Sequence, residues 1–226
     1  MNLFSSSRTA AGFFMLAIPG ILLAGGVEAG AWPFPGSGRV FSCSREVLAS
    51  PESLLGEHYS PEENLESIDV DLIDHARQSI EIAMYAFTDR PIAEALVRAA
   101  SRGVHVWIYR DGIQIRDRGD KMRRLMSSAP GQSGLIAIRV KRNSSRNIMH
   151  LKAYAIDGKW LRTGSANWSP PGEGAWCSRG ERFHRDQQDN NLFLTEDPRE
   201  VLKFEETFRR IWSRVGNRPW TESAGR

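Results

Sequence analysis

Apolar residues recur at helical spacing at Ile68, Leu72, Ile73 and Ala76, which predicts a helix over Leu65 to Gln78 with one inward stripe. Ile80 to Phe87 then alternates as a buried strand. Pro91 stands where a first helical turn tolerates it. Ile92, Ala95, Leu96 and Ala99 share the face behind it, and Gly103 closes the helix. Val104 to Tyr109 and Leu135 to Val140 read as further strands. Ala153 to Ile156 and Trp160 to Thr163 read as two short strands joined at the Asp157-Gly158 turn. Leu192 to Thr195 adds another strand. Pro198 to about Val215 closes the pattern as a helix burying Val201, Leu202, Phe204, Phe208, Ile211 and Trp212. This β-α-β succession predicts an α/β fold, a mixed β-sheet layered between helices. No internal repeat interrupts it.

The amino terminus follows a different pattern. One cation, Arg8, precedes an apolar stretch from Ala10 to Val27, and Ala29-Gly30-Ala31 offers a small-x-small cleavage site. Residues 1–31 are therefore expected to be a signal peptide, with retention as a membrane anchor the alternative. Export would place the protein in a periplasm or outside the cell. Residues 32–51, rich in Gly, Ser and Pro, read as a linker or arm. A catalytic domain is expected over 52–216 and a tail over 217–226. In an oxidising compartment Cys43 and Cys177 are a possible disulfide, two free thiols being the alternative. Their spacing offers no zinc site, and neither metal nor cofactor is expected.

Charge changes the picture next. The net is only +3, yet residues 51–100 carry 3 basic and 11 acidic side chains, whereas residues 101–150 carry 11 basic and 3 acidic. Arg139, Lys141, Arg142 and Arg146 lead from the basic block straight into His150. Arg116, Arg118, Lys121, Arg123 and Arg124 precede them, either on a solvated helix face or as part of the same track. Folded beside a reactive centre, such a track suits a polyanion's backbone rather than its bases.

The chemistry concentrates in eighteen residues, from His150 to Asn167, with the pattern H-x-K-x4-D-x6-G-S-x-N. On a strand, residues two apart share a face, so His150 and Lys152 project together. An imidazole beside an ammonium is held neutral, as a nucleophile must be, and the ammonium offers a point charge to phosphate oxygens. Gly164 lets backbone approach a ligand, and Ser165 and Asn167 supply neutral donors. Any one of these residues has an ordinary structural explanation. No packing requirement, however, demands all of them in this register.

The pattern resembles the HKD motif of the phospholipase D superfamily. The resemblance extends through Tyr59-Ser60-Pro61, the strand Ile80 to Thr88, and the helix from Pro91 closing at Arg102-Gly103-Val104. It implies a phospholipase D-like fold in which His150 attacks phosphorus and forms a phosphohistidine. Lys152 and Asn167 would hold the phosphate oxygens, and Ser165 would support the phosphate or its loop. Asp157 belongs to the motif as a largely structural member, supporting the hairpin. A downstream acid orients the histidine in this family; Asp189 is the best match, with Asp186 as competitor. Only one H-x-K occurs, since His58, His75, His105 and His184 lack the pattern. The resemblance therefore implies a homodimer with the active site at its two-fold interface, as in small bacterial periplasmic endonucleases and the mitochondrial cardiolipin hydrolase/piRNA nuclease branch. Residues 169–185 depart from the pattern, being longer and richer in Pro and Gly.

Three functions follow in order. The first is a metal-independent phosphodiesterase on nucleic acid, DNA or RNA, with little sequence preference. The second is a lipid phosphodiesterase, which an apolar rim containing Trp160, Trp168 and Trp176 would favour. The third is a non-catalytic DNA binder, which would have no need of the nucleophile.

Overall fold

The computed structural model describes residues 49–128, 135–142, 146–175 and 187–221. The expected signal peptide, most of the linker, Cys43, Cys177, Trp176 and Asp186 lie outside the described residues.

Eight strands among these residues form one sheet in the order β1-β7-β6-β5-β2-β3-β4-β8. In chain order the elements are β1 (Gly56–Ser60), α1 (Leu65–His75), β2 (Ser79–Met84), α2 (Arg90–Ser101) and β3 (His105–Arg110). Next come α3 (Met122–Ser128), β4 (Ile136–Val140), β5 (Lys152–Ile156), β6 (Trp160–Gly164) and β7 (Asn190–Thr195). The last are α4 (Pro198–Trp212) and β8 (Arg218–Pro219). β2, β3 and β4 are mutually parallel, with α2 as the crossover that β2 and β3 require; the other pairings are antiparallel.

Strand periodicity sorts the core into two layers. Ile80, Ile82, Tyr154 and Ile156 face Leu72, Ile92, Leu96 and Leu125 of α1, α2 and α3. Ala83, Ala153 and Ala155 face the opposite way, against Val201, Phe204 and Phe208 of α4. Side-chain caps fix the helix starts: Asn64, Asp89 and Asp197 accept the amides of Ser67, Ile92 and Arg199.

Several boundaries differ from the sequence expectation. α1 ends at His75 rather than Gln78, because the amides of Arg77, Gln78 and Ser79 bond the Asp157 carboxylate instead. Leu202 is exposed, since Val201, Phe204, Phe208 and Ile211 already define the inward stripe of α4. The tail does not begin at 217. Arg218 and Pro219 pair with Val140 and Arg139, and the Trp220 amide donates to the Ile138 carbonyl, so the domain continues past 216.

One fully buried ionic cluster ties α1 to the motif hairpin. The Arg162 guanidinium donates through Nε and Nη2 to both oxygens of Asp69, at 3.1 and 3.0 Å. Asp69 also accepts the Tyr154 hydroxyl at 2.6 Å and Trp168 Nε1 at 2.9 Å. Arg162 Nη1 reaches the carbonyls of Lys152 and Ala166, both at 3.1 Å. Removing the cation would strand a buried carboxylate together with those carbonyls. Arg162→Met is therefore expected to lower the unfolding free energy by about 3–5 kcal/mol, read as a reduced guanidinium midpoint at unchanged slope. A loss below about 1 kcal/mol would show that the cluster is not needed.

Candidate active site

The carboxyl ends of β2, β3 and β4 lie at the same edge of the sheet as the start of β5 and the end of β6, because β5 runs antiparallel to β2 with Met84 opposite Lys152. That edge gathers His150, Lys152, Ser165 and Asn167. It is where open α/β sheets present ligand sites.

His150 is exposed just before β5, whereas Lys152 is buried at 8% exposure. The Lys152 ammonium donates to the His150 carbonyl at 2.9 Å and lies 3.3 and 3.2 Å from Nδ1 and Nε2. A neutral imidazole has one acceptor nitrogen, so the ammonium can donate to only one of the two. Toward the ring as a whole it acts as a nearby charge. Burial first, and the Lys152 charge second, hold the His150 pKa below its ordinary 6.5, while Asp111 pulls it upward. Burial, and then Arg162, also lower the Lys152 pKa. The imidazole is thus poised neutral beside a positive charge.

Asn167 Oδ1 accepts the Ala86 amide at 3.2 Å, which fixes the orientation of the side-chain amide. Its NH2 group has no partner among the described residues and is a free donor at the site. Ser165 is more occupied: its hydroxyl donates to Asn190 Oδ1 and accepts the Asn191 amide, both at 2.9 Å. Its own amide reaches Asn191 Oδ1 at 2.9 Å. Ser165 thereby locks the end of β6 to the start of β7. Gly164, at φ 149°, makes the lock possible, because a Cβ there would collide with the Asn191 carbonyl.

Asp157 stands at the far end of β5. Asp157 and Gly158, at φ 54° and 63°, form the mirror-image turn that twisted hairpins prefer. The Asp157 carboxylate accepts the amides of Arg77, Gln78 and Ser79 at 2.8–2.9 Å. Its place in the motif is that of an anchor, and it does not touch the reactive edge.

Asp189 does not make the contact expected of it. It is exposed beside a cleft of about 520 Å³ lined also by Tyr59, Ser60, Glu62, Ser165, Asn190 and Asn191, and it forms no hydrogen bond with His150. The reason lies in the strand order. Asp189 leads into β7, which β6 separates from β5, and its cleft is shared with Ser165 rather than with His150.

The expected basic track is half consumed by structure. Arg139 lies over the Trp212 ring at 5.2 Å and donates to the Trp212 carbonyl at 2.9 Å. Lys141 is buried, donating to Asn147 Oδ1 at 2.6 Å and to the Ile148 carbonyl at 3.1 Å. Arg142 and Arg146 remain exposed, as do Arg116 and Arg118. Of the tryptophans offered for a rim, Trp168 is fully buried on Asp69 and Trp160 packs against the core, while Trp176 lies outside the described residues. Among the described residues no group of three or more His, Cys, Asp or Glu side chains could hold a metal ion.

The family model described as cardiolipin synthase, PLD-like domain, matches residues 70–212. The chain belongs to the phospholipase D superfamily. Among its relatives in that superfamily is the mitochondrial cardiolipin hydrolase of Drosophila melanogaster, 27% identical over 164 residues, which cover 63% of this chain and 56% of the relative. The human mitochondrial cardiolipin hydrolase is 26% identical over 146 residues, covering 65% and 50%. The chain thus spans about half the length of these curated relatives. The crystal structure of Nuc from Salmonella typhimurium, a phospholipase D family member, superposes with a TM-score of 0.55 at 26% identity, covering 74% of this chain and 97% of Nuc. NucT from Helicobacter pylori shares the fold at 24% identity and a TM-score of 0.56, covering 69% and 93%.

Sequence reasoning missed two residues around His150. Tyr85 packs edge-on against the His150 ring, with centroids 4.6 Å apart. The buried Asp111 accepts the Met149 amide at 2.8 Å. Tyr85 stood in view at the end of a predicted strand, but only the sheet register points it at His150.

Asp157→Ala is expected to cost about 1–3 kcal/mol of stability, since it orphans three amides, while the folded variant keeps turnover within a few-fold of wild type. Denaturation together with kcat measured below the melting range checks both parts. Turnover that disappears from a fully folded variant would place Asp157 in the chemistry.

Proposed function

We propose that the chain is a metal-independent phosphodiesterase that cleaves nucleic acid as a homodimer, through a phosphohistidine intermediate. The observation that carries this reading is the accessible, neutral-poised His150 beside the Lys152 ammonium, at the sheet edge that also presents the Asn167 amide. The ammonium and the amide oppose the charge that builds on the non-bridging oxygens as the imidazole lone pair attacks phosphorus. As the P–O bond to the leaving group breaks, the departing oxygen needs a proton. The chain's single motif offers no second imidazole, so His150 of a second copy, protonated while the attacking imidazole is neutral, supplies that proton. The same imidazole then takes a proton from water, the oxygen of which displaces His150 from phosphorus.

Nucleic acid is favoured over lipid by the exposed Arg116, Arg118, Arg142 and Arg146, and by a likeness to Nuc that runs over nearly the whole of Nuc. Export to a periplasm remains part of the proposal, on the pattern of residues 1–31. The competing lipid reading draws on the cardiolipin hydrolase relatives and on the exposed Ile113, Ile148 and Leu151 near His150.

Hydrolysis of single- and double-stranded DNA, RNA and cardiolipin vesicles in excess EDTA decides between them. The proposal expects nucleic acid cleavage that survives EDTA and vanishes in His150→Ala. Lipid turnover alone would overturn the substrate assignment, and full activity in the variant would overturn the mechanism. Because burial and Lys152 favour the neutral imidazole, loss of kcat/KM on acidification should have its midpoint below pH 6.5, His150's ordinary value. A midpoint above 6.5 would contradict that arrangement.

A further inference from the structure

Among the described residues no carboxylate bonds the His150 ring, yet the ring is far from loose. The segment after β3 reaches it by two routes. Asp111, fully buried, divides its oxygens between two tasks. Oδ1 accepts the amides of Ile113 and Gln114, at 2.8 and 3.2 Å, shaping the short 3-10 turn Gln114–Arg116. Oδ2 accepts the Met149 amide at 2.8 Å, pinning the backbone immediately before His150. From that same turn, Gln114 Nε2 donates to the Tyr85 hydroxyl at 3.1 Å. The Tyr85 ring, so held, meets the His150 ring at a 60° interplanar angle and carries the Lys152 ammonium at 5.1 Å from its centroid. The Tyr85 backbone is fixed independently, its amide donating to the Leu151 carbonyl at 2.9 Å.

We infer that Tyr85, Gln114 and Asp111 are positioning residues for the nucleophile. Asp111 fixes the backbone from which His150 hangs, and Gln114 fixes the aromatic wall against which its ring stands. This bracket holds the ring through contacts that do not involve Asp189. The same tyrosine face holds the Lys152 ammonium, so one ring sets the separation of nucleophile and phosphate-gripping charge. Edge-to-face contact and a cation over the ring face are compatible on one tyrosine, because the ring is negative on its faces and positive at its edge. The charged groups facing His150 are then Lys152 from β5 and Asp111 from the end of β3, with opposite effects on its protonation.

The inference rests on His150 as nucleophile but not on nucleic acid as substrate. Its test therefore uses bis(4-nitrophenyl) phosphate, a minimal phosphodiester that carries neither base nor lipid chain. Tyr85→Phe keeps the ring and loses the hydroxyl, and should reduce kcat about fivefold, the effect of one neutral hydrogen bond. Tyr85→Leu loses the wall, and should reduce kcat on the order of a hundredfold with KM little changed, as misplacement of a reacting group does. Gln114→Leu should match Tyr85→Phe, and the double variant should lose no more than either alone, since both break one bond.

Asp111→Asn offers a single acceptor oxygen for two sets of amides and removes the negative charge. Its acid limb should move to lower pH, a shift that loosened packing alone would not produce. Wild-type kcat in Tyr85→Leu, or losses confined to KM, would overturn the inference even if Asp111→Asn fails to fold. If the diester pattern holds while DNA and RNA are untouched, the nuclease reading falls and the bracket stands.

Discussion

The Arg162–Asp69 pair is the interaction on which the rest of the hairpin depends. A guanidinium with no solvent exposure can exist only where its donors are met, and here Asp69 takes two of them while Lys152 and Ala166 give their carbonyls to a third. Those carbonyls belong to the two ends of the motif, one at the start of β5 and the other between Ser165 and Asn167. A single side chain thus sets the distance between the strand that follows His150 and the loop that carries Ser165 and Asn167. The geometry of a planar fork is stiff, which suits it to this task better than apolar packing of the same volume would.

Around this pair the acidic half of the chain finds a use. Glu173 is fully buried beside Arg162, 3.6 Å from Nη2, and burial with Asp69 beside it holds the Glu173 pKa well above the ordinary value. Asp89, which caps α2, is pushed up to about 8, mainly by burial and then by Glu66. Burial that favours the neutral form of these acids limits the net charge the cluster must carry. Part of the negative balance of residues 51–100 is therefore structural, while the glutamates at 57 and 62 face solvent.

Much of the fold was legible because periodicity reports burial. The strands at 80, 104, 135, 153, 160 and 192 and the helices at 65, 91 and 198 all announce themselves by apolar spacing. β1, α3 and β8 did not. β1 (Gly56–Ser60) alternates glutamate, histidine and tyrosine at an edge, and β8 holds only Arg218 and Pro219, too short for any period to register. At the site, His150, Lys152 and Asn167 were visible because no packing rule explains their register. Arg139 and Lys141 were misread because a run of cations along the chain does not tell which of them the fold engages, here with Trp212 and with Asn147 and Ile148. Tyr85 and Asp111 escaped notice because a tyrosine and an aspartate each have ordinary roles, and only the registers of β2 against β3 and β5 bring them to the edge that holds His150.

Pro219 in β8 has a consequence for how the molecule meets others. The strand it belongs to closes one lateral margin of the sheet, and a proline has no amide hydrogen to offer a newcomer. That margin is capped chemically as well as geometrically. Stacking of molecules into a continuous ribbon is discouraged on this side, and a companion gains more by approaching along the strand axes, where the reactive groups emerge.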